Sequence, residues 1–296
     1  MRTLGRSPFR ETARTGMVAA ASLAASLAAL LAGCGDGGSD VETFPVARVE
    51  TLAGVEFRHR FTDAAGLRWH WVDAGPVDRS PPIVFLHGLP ESWYSWHLQM
   101  QDLAADRRLI AIDLKGYGET DKPATGYSGE QVAAELGVLL DRIAPGPIDL
   151  VTHDWGTGIG QRVAADRPER IRRYARMEAP VAIIDLEGRH RQFFLFQDQG
   201  FAVRLLSNAR GLVRLIYGYD GRPGTTTVTP ISNEILDRII AEFSRPGTAE
   251  AVARYFVENP VTDPASWARA TEIYGRMEFP VLLLQGDADP NQPHEY

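Results

Sequence analysis

One aspartate stands at a position where a carboxylate can act as a nucleophile. Asp154 lies in the segment Val151–Gly158 (VTHDWGTG), where an apolar run meets small residues that allow a sharp turn from a strand into a helix. Such a turn lifts its central side chain above the edge of a sheet. A carboxylate needs no base to activate it, and it attacks carbon that bears a leaving group or belongs to a strained ring. The competing interpretation is an aspartate that only caps the following helix.

Two further glycine-containing turns also follow apolar runs. In His87–Trp96 (HGLPESWYSW), Gly88 permits a tight turn, and the backbone N–H of Leu89 is free to face a developing anion. The segment Asp113–Pro123 (DLKGYGETDKP) has no P-loop lysine and no dinucleotide fingerprint. We therefore assign it no phosphate role and expect its aspartates to hold loops together.

The elements that must position these turns follow an α/β pattern. Short apolar runs predict buried strands, and they lie at Pro82–Leu86, Leu109–Asp113, Ile148–Thr152 and Pro280–Leu284. Two alternating stretches, Val55–Thr62 and Leu67–Val72, predict a hairpin. Helical periodicity between the buried runs, clearest at Gly129–Ile143, indicates a mostly parallel sheet. In such sheets the chemistry gathers at the carboxyl ends of the strands.

A long segment interrupts this alternation. Residues 181–277 contain no convincing buried strand but several helix-like stretches, such as Asn233–Phe243 and Thr248–Glu258. We predict a helical cap over the carboxyl edge of the sheet, inserted into a core formed by residues 55–180 and 278–296, where it would control access of water and substrate.

The amino terminus predicts export. Residues 1–33 contain a basic stretch and then an apolar run, and Cys34, the single cysteine of the sequence, comes directly after them. These features are typical of a signal peptide, and the residues LAGC resemble a bacterial lipobox, in which the cysteine becomes the acylated first residue. We expect residues 34–54 to be a flexible linker and the protein to be a membrane-anchored lipoprotein of the bacterial cell envelope. A simple secretory signal and a short anchor helix are the alternatives.

The composition excludes one class of partner. The 296 residues carry a net charge of −7, which argues against binding to a phosphate backbone. The histidines and carboxylates show no metal-ligand spacing, so we expect no nucleic acid, metal or organic cofactor.

The three turn motifs together resemble one family. HGLPESWYSW, DLKGYGETDKP and HDWG are similar in order and spacing to the α/β-hydrolases that include epoxide hydrolases and haloalkane dehalogenases, from about residue 55 to the last residue. The resemblance implies an α/β-hydrolase fold, mostly parallel, with a helical cap inserted after the sixth strand. It also implies that Asp154 forms an alkyl–enzyme ester and that the N–H groups of Leu89 and Trp155 form the oxyanion hole. The substrate would be an epoxide or a halogenated alkane.

The cap segment favours epoxide hydrolases within this family, although the match is incomplete. FSRPG at Phe243–Gly247 is similar to those enzymes, which use two cap tyrosines to protonate the epoxide oxygen. Gln192 stands where the first tyrosine belongs. Tyr255 lies near the second position and is the candidate acid, but strict spacing favours Phe256.

The dehalogenase alternative rests on different residues. The Met-Glu pair at 177–178 is similar to a dehalogenase subgroup that places its catalytic acid there, and Trp155 fits a halide-binding N–H donor. Against this alternative, Leu89 stands where those enzymes usually have asparagine.

The acid and base of the second step complete the predicted site. By the resemblance, Asp289, three residues after Gly286, orients the general-base histidine, and Glu178 is the alternative acid. That histidine is expected some tens of residues beyond the acid. None of the seven histidines is well placed: His59, His70, His87, His97, His153, His190 and His294. We expect this sequence to be a fragment that stops before the last strand, the last helix and the histidine; the alternative is a non-catalytic surface lipoprotein with a degenerate hydrolase fold.

Overall fold

The computed structural model describes residues 44–178, 195–217, 231–260, 272, 275 and 277–286. Their strands are β1 (Val46–Leu52), β2 (Val55–Ala64), β3 (Leu67–Ala74), β4 (Ile83–Leu86), β5 (Leu109–Ile112), β6 (Ile148–His153), β7 (Ile171–Met177) and β8 (Val281–Leu284). Their α-helices are α1 (His97–Leu103), α2 (Gly129–Ile143), α3 (Trp155–Asp166), α4 (Gln199–Ser207), α5 (Ala209–Ile216), α6 (Asn233–Phe243) and α7 (Thr248–Glu258).

The described strands form a single mixed sheet. Its order is β1-β2-β3-β5-β4-β6-β7-β8. The pairs β1–β2, β2–β3 and β3–β5 are antiparallel, whereas every pair from β5 to β8 is parallel. All residues of β4 and β5 are buried, as expected for strands with both faces covered. The buried strand predicted at Pro280–Leu284 is instead the edge strand β8, and the side chains of Val281 and Leu283 are exposed. The predicted α/β-hydrolase fold is confirmed, with the carboxyl ends of its parallel strands along one edge.

The helix α2 shows how local sequence sets an element against the sheet. The side chain of Ser128 caps the helix by accepting a hydrogen bond from the N–H of Gln131. Its apolar residues recur at helical spacing and are buried in the core, among them Val132, Leu136 and Ile143. The helix therefore covers one face of the sheet.

Helices α4 to α7 lie in the segment predicted as the cap. The bounds of α6 and α7 coincide with the two stretches predicted from periodicity. The segment follows β7, which is the sixth strand when β1 is not counted. The strand β1 lies within the predicted linker 34–54, which therefore ends earlier than expected. Most of its side chains are exposed, and the strand is stabilised by its pairing with β2, so it lacks an apolar pattern. The strand β7 was not predicted either, because arginines interrupt its apolar residues (IRRYARM).

A chain of ion pairs joins the cap to the amino-terminal strand. The guanidinium of Arg238 in α6 binds both carboxylate oxygens of Glu50 in β1, at 3.0 and 3.1 Å. Glu242 accepts hydrogen bonds from Arg238 at 3.0 Å and from Arg245 at 2.7 Å. Arg245 continues the chain to Glu119 in the turn after β5, and Glu119 in turn binds Arg48 in β1.

The predicted signal peptide and Cys34 lie outside the described residues. Residues 36–296 form one compact unit, and the unit before it, Met1–Gly35, is not described. Within the described ranges no helix is both long and apolar enough to cross a lipid bilayer.

Candidate active site

The turn between β6 and α3 has the geometry predicted for it. Asp154 lies between the last residue of the strand and the first residue of the helix, with φ +50° and ψ −121°. Neighbouring backbone approaches very closely: a Cβ at Gly88 would lie 2.3 Å from the Cβ of Asp154, and one at Gly156 would lie 2.5 Å from the carbonyl oxygen of Leu86. Glycine is required at both positions for this approach. The side chain of Asp154 makes no hydrogen bond that caps α3, so the helix-cap interpretation is wrong.

The two predicted oxyanion donors both face this carboxylate. The N–H of Leu89 donates to Oδ1 of Asp154 at 2.9 Å, and the backbone N–H of Trp155 also favours the ionised form of this carboxylate. Burial raises the pKa of Asp154, and the nearby His153 and these two N–H groups oppose that rise. An anion held at this point receives two backbone donors, which is the arrangement that stabilises a tetrahedral oxyanion.

Beside the nucleophile lies a charged pair that sequence reasoning missed. The carboxylate of Glu91 contacts Nδ1 of His153 at 3.2 Å and accepts a hydrogen bond from the hydroxyl of Tyr217 at 2.9 Å. Burial alone would raise the pKa of Glu91, but His153 and Tyr217 lower it to about 2. Burial likewise disfavours a charged His153, yet the carboxylates of Glu91 and Asp154 raise its pKa to about 9. Both members of the pair are therefore charged at neutral pH.

The sequence contained only part of the signal for this pair. Glu91 belongs to the HGLPESWYSW motif and His153 to HDWG, so both could have been placed near the nucleophile. Tyr217 directly follows α5, and no motif or spacing distinguishes it from other cap residues.

The other described histidines serve structural roles. His87 holds two loops together, because its Nδ1 bonds to the carbonyl oxygen of Gly88 at 2.9 Å and its Nε2 accepts from the N–H of Leu114 at 3.1 Å. His97 bonds to the carbonyl of Tyr94 within the turn that opens α1. His190 and His294 lie outside the described residues.

Asp113 is a buried hub, in agreement with the role in holding loops predicted for the second motif. Its carboxylate contacts Nδ1 of His70 at 2.6 Å and accepts from the N–H groups of Trp93 at 2.8 Å and Glu119 at 2.9 Å. These bonds join three segments at the carboxyl edge of the sheet.

One cluster among the described residues has metal-ligating side chains. Ligand atoms of His59, His70 and Glu119 lie within 4.8 Å of one another. The carboxylate of Glu119, however, is bound by Arg48 and Arg245, and His59 and His70 are hydrogen-bonded to each other at 2.9 Å. Two guanidinium groups beside the cluster oppose a cation, so we treat it as a hydrogen-bonded network.

Of the two candidate acids, the described residues include Glu178. It follows β7 with φ +45°, and its carboxylate accepts hydrogen bonds at 2.7 Å from the side chain of Gln285 and from the N–H of Gly286. Glu178 thus lies at the carboxyl edge, between the ends of β7 and β8. Asp289 lies outside the described residues, so its role stays a prediction.

The candidate cap acid Tyr255 lies over the nucleophile turn with its hydroxyl already bound. The ring of Tyr255 is 5.3 Å from that of Trp155, and Phe256 packs edge-on against the same indole at 5.2 Å. The hydroxyl of Tyr255 donates to the carbonyl oxygen of Lys115 at 2.9 Å. Its role as an acid stays a prediction, and Gln192 lies outside the described residues.

Comparison with known proteins gives concordant results. A family profile described as "alpha/beta hydrolase fold" matches residues 81–213. The chain is 30% identical to mouse epoxide hydrolase 4 over 241 residues, covering 76% of this chain and 64% of that protein. It is 29% identical to a haloalkane dehalogenase of Mycolicibacterium paratuberculosis, covering 84% and 83% of the two chains. The chain therefore spans less than two thirds of the mouse relative's length.

The similar solved structures also include epoxide hydrolases and haloalkane dehalogenases. The structure of epoxide hydrolase VrEH1 from Vigna radiata superimposes with a TM-score of 0.65 at 26% identity, covering 79% of this chain and 80% of that one. A haloalkane dehalogenase variant, DbeA-M1 from Bradyrhizobium elkanii, superimposes with a TM-score of 0.67 at 25% identity, covering 80% and 82%.

Proposed function

Since the chain belongs to the α/β-hydrolase superfamily, we propose that it is a hydrolase that opens epoxides through an ester on Asp154. The proposal depends above all on one observation: Asp154 lies on the strand-to-helix turn with the N–H of Leu89 2.9 Å from Oδ1. A carboxylate held by backbone donors at the edge of a parallel sheet can attack carbon and then be regenerated through an oxyanion.

The proposed reaction has two steps, formation of the ester on Asp154 and its hydrolysis. A carboxylate oxygen of Asp154 bonds to one epoxide carbon, the C–O bond of the ring breaks, and the ring oxygen takes up a proton to become a hydroxyl. Water then loses one proton to a base as its oxygen adds to the ester carbonyl, and the resulting oxyanion is stabilised by the N–H groups of Leu89 and Trp155. Collapse of this intermediate releases the diol and restores the carboxylate.

The second step needs a base, and His153 is unsuited to that role. Its pKa is raised to about 9 by the adjacent carboxylates of Glu91 and Asp154, despite burial, so the ring already carries its proton at neutral pH. General-base catalysis typically contributes about 10²–10⁴-fold. With His153 protonated, hydrolysis of the ester depends on a base supplied by another group, and without one we expect the ester to persist. In the family pattern the base would be oriented by Asp289, with Glu178 as the alternative. Both carboxylate oxygens of Glu178 already accept hydrogen bonds, from Gln285 and from the N–H of Gly286.

Mass spectrometry of the intact chain tests this proposal. After incubation with styrene oxide, the chain should gain one substrate mass, mapped to the peptide that contains Asp154. Asp154→Asn should gain none, whereas Asp102→Asn, which changes an exposed carboxylate in α1, should react like the unmodified chain. Absence of any adduct on Asp154 together with absence of diol formation would contradict the proposal.

Halide release from an alkyl halide is the second candidate activity. The extensive match to a haloalkane dehalogenase, over 83% of that protein's length, favours it. The same carboxylate would displace the halide and form the same type of ester. Incubation with 1-bromobutane and measurement of free bromide separates the two activities, because an enzyme specific for epoxides releases little bromide.

We also propose that the protein is exported and acylated at Cys34. The support is the sequence itself, in which a basic and apolar segment, residues 1–33, precedes the only cysteine. Expression in a bacterial host followed by membrane fractionation tests this. Cys34→Ser should move the protein from the membrane fraction to the soluble fraction, and an unchanged distribution would contradict acylation.

A further inference from the structure

A continuous set of contacts leads from the cap to the nucleophile. The hydroxyl of Tyr217, at the end of α5, donates to Oε1 of Glu91 at 2.9 Å. The other oxygen of Glu91 contacts Nδ1 of His153 at 3.2 Å and accepts from the N–H of Gly88 at 3.3 Å. His153 directly precedes Asp154, and Gly88 directly precedes Leu89, whose N–H binds Asp154. We call Tyr217, Glu91 and His153 the relay.

The charges along the relay alternate in sign. Glu91 is an anion between two donors, and His153 is a cation between two carboxylates, those of Glu91 and Asp154. A cation beside a half-buried carboxylate favours its ionised form, which is the form that attacks carbon. Removing one member of such a pair leaves the other partner's charge uncompensated.

Tyr217 is unsuited to be the acid that protonates the epoxide oxygen. Burial and then the charge of Glu91 raise its pKa well above that of a free tyrosine, because loss of its proton would place a phenolate beside a carboxylate. Its hydroxyl proton is instead held in the hydrogen bond to Glu91. The contribution of Tyr217 is therefore electrostatic and geometric: it stabilises the charge of Glu91 from the cap side.

We propose that the relay residues are positioning residues that keep Asp154 ionised, and that Tyr217 makes this effect depend on the seating of the cap on the core. The inference deepens the proposed function, since it rests on Asp154 being the nucleophile.

Among the residues that the structure describes, three other titratable groups interact with the relay and the nucleophile. Burial lowers the pKa of His87, whose two nitrogens are both engaged, so it stays neutral. Burial raises the pKa of Tyr117 well above its ordinary value, so it stays a phenol. The carboxylate of Glu178 contributes to the raised pKa of His153. At neutral pH, His153 is therefore the group among these residues whose charge most favours the ionised form of Asp154.

Titration of His153 by ¹⁵N NMR tests the relay without any substrate. In the unmodified chain the ring should remain protonated until the pH approaches about 9. Glu91→Gln should lower the midpoint of this titration by about 1–3 pH units, since the largest interaction that opposes burial is then removed. Tyr217→Phe should lower the midpoint by a smaller amount than Glu91→Gln, because Glu91 keeps its charge and loses only the hydrogen bond that positions it. The matched control, Tyr127→Phe, removes a hydroxyl that binds the carbonyl of Pro123 at 2.8 Å and should leave the midpoint unchanged.

The rate of single-turnover ester formation from about pH 4 to pH 8 provides the functional readout. His153→Asn should move the acid limb of this rate to higher pH, and at a fixed pH on that limb the rate should fall about tenfold for each pH unit by which the limb moves. The double variant Glu91→Gln/His153→Asn removes both charges and should bring the limb back toward its original position. A merely structural role would instead make the double variant slower than either single variant without moving the limb.

The outcomes separate the two proposals. If the unmodified chain forms no ester on Asp154, the proposed function fails, while the NMR titration still decides whether the relay sets the charge of His153. If the ester forms but His153 titrates near its ordinary pKa of about 6.5 and ignores Glu91→Gln, the relay is refuted. If His153 responds to Glu91→Gln but not to Tyr217→Phe, the dependence on the cap is refuted.

Discussion

At the scale of single residues, the space around the nucleophile is set by a glycine on a different strand end. A methyl group at position 88 would lie 2.6 Å from Oδ1 of Asp154. We predict that Gly88→Ala slows ester formation by at least about 100-fold, because displacement of a reacting group by about 1 Å costs that much. Mass spectrometry of the adduct over time measures the rate.

Gly158→Ala is the control for this substitution. A Cβ at Gly158, in the first turns of α3, meets no atom within 4 Å. Alanine there should leave the rate unchanged and stabilise the fold by about 0.5–1 kcal/mol, as expected in a helix. Equal rates for Gly88→Ala and the unmodified chain would show that the nucleophile can move aside without loss.

The residues of the site differed in how far sequence could predict them. Asp154, Leu89 and Trp155 follow strand ends within recognisable motifs, and their backbone geometry follows from the turns they occupy. Tyr217 could not be identified, because its contact with Glu91 depends on how a cap helix packs onto the core. The bond from Tyr255 to Lys115 could not be predicted for the same reason.

At the scale of elements, the hairpin β2–β3 carries a buried histidine that responds to acid. Burial, followed by the charge of Arg48, lowers the pKa of His59 to about 4, and the side chain is fully buried. The unfolded chain takes up a proton below about pH 6.5, whereas the folded chain does so only near pH 4. Stability is therefore lost as the pH falls between these values, by at most about 3 kcal/mol.

The variant His59→Gln tests this linkage. We predict that the free energy of unfolding of the variant, measured with urea, falls less between about pH 6.5 and pH 4 than that of the unmodified chain. Asp63→Asn changes an exposed side chain on the same strand and should retain the original slope. If the two variants had the same slope, the titration of His59 would not contribute to acid unfolding.

The end of α7 is fixed to the core by one amide side chain. Oδ1 of Asn259 accepts from the N–H of Gly129 at 2.7 Å, and Nδ2 donates to the carbonyl oxygens of Tyr127 and Tyr255, each at 2.8 Å. We predict that Asn259→Ala costs about 2–3 kcal/mol, since three hydrogen bonds are lost and buried polar groups remain unpaired. Glu250→Ala, at an exposed position in the first turn of α7, should lower the free energy of unfolding by at most about 0.5 kcal/mol. Urea unfolding distinguishes them, and similar costs would contradict this role of Asn259.

Several elements were predicted from sequence because burial imposed a pattern on them, but β7 was missed because arginines interrupt its apolar residues. Both β4 and β5 are buried on both faces and appeared as short apolar runs, and α6 and α7 have one apolar face each. β1 was missed because its edge position leaves most of its side chains in water, and its pairing with β2 involves main-chain atoms that no side-chain pattern reports.

At the scale of the whole molecule, a chain of ion pairs connects the cap with the amino-terminal strand β1. The chain starts at Glu50, passes through cap residues and ends at Arg48. Glu242 is central to these ion pairs, since its side chain is only 6% exposed and binds two guanidinium groups. We predict that Glu242→Gln lowers the free energy of unfolding by about 2 kcal/mol, because the two arginines lose a shared counter-charge in a partly buried place.

An exposed pair on the same cap supplies the comparison. Arg210 and Asp237 approach to 3.6 Å, with side chains 59% and 64% exposed. Arg210→Ala should cost at most about 0.5 kcal/mol, because solvent screens such a pair. Urea unfolding of both variants measures the difference, and a larger loss for Arg210→Ala would show that exposure does not decide the strength of these pairs.

The division into core and cap was predictable because the strand pattern stops and later resumes. The contacts between the two parts were not, since arginines and glutamates on a helix surface look alike whether they face solvent or a partner strand. Sequence therefore predicted which segments exist, and the structure was needed to show how the cap meets the turn at Asp154.

The backbone conformation of Asp154 has one consequence for directed evolution of this protein. Its φ of +50° with ψ −121° is a conformation that suits glycine and costs other residues about 1–3 kcal/mol. A library screened only for heat tolerance would therefore be enriched in glycine at this codon and would discard the very side chain that reacts. Robustness and reactivity compete for the same position.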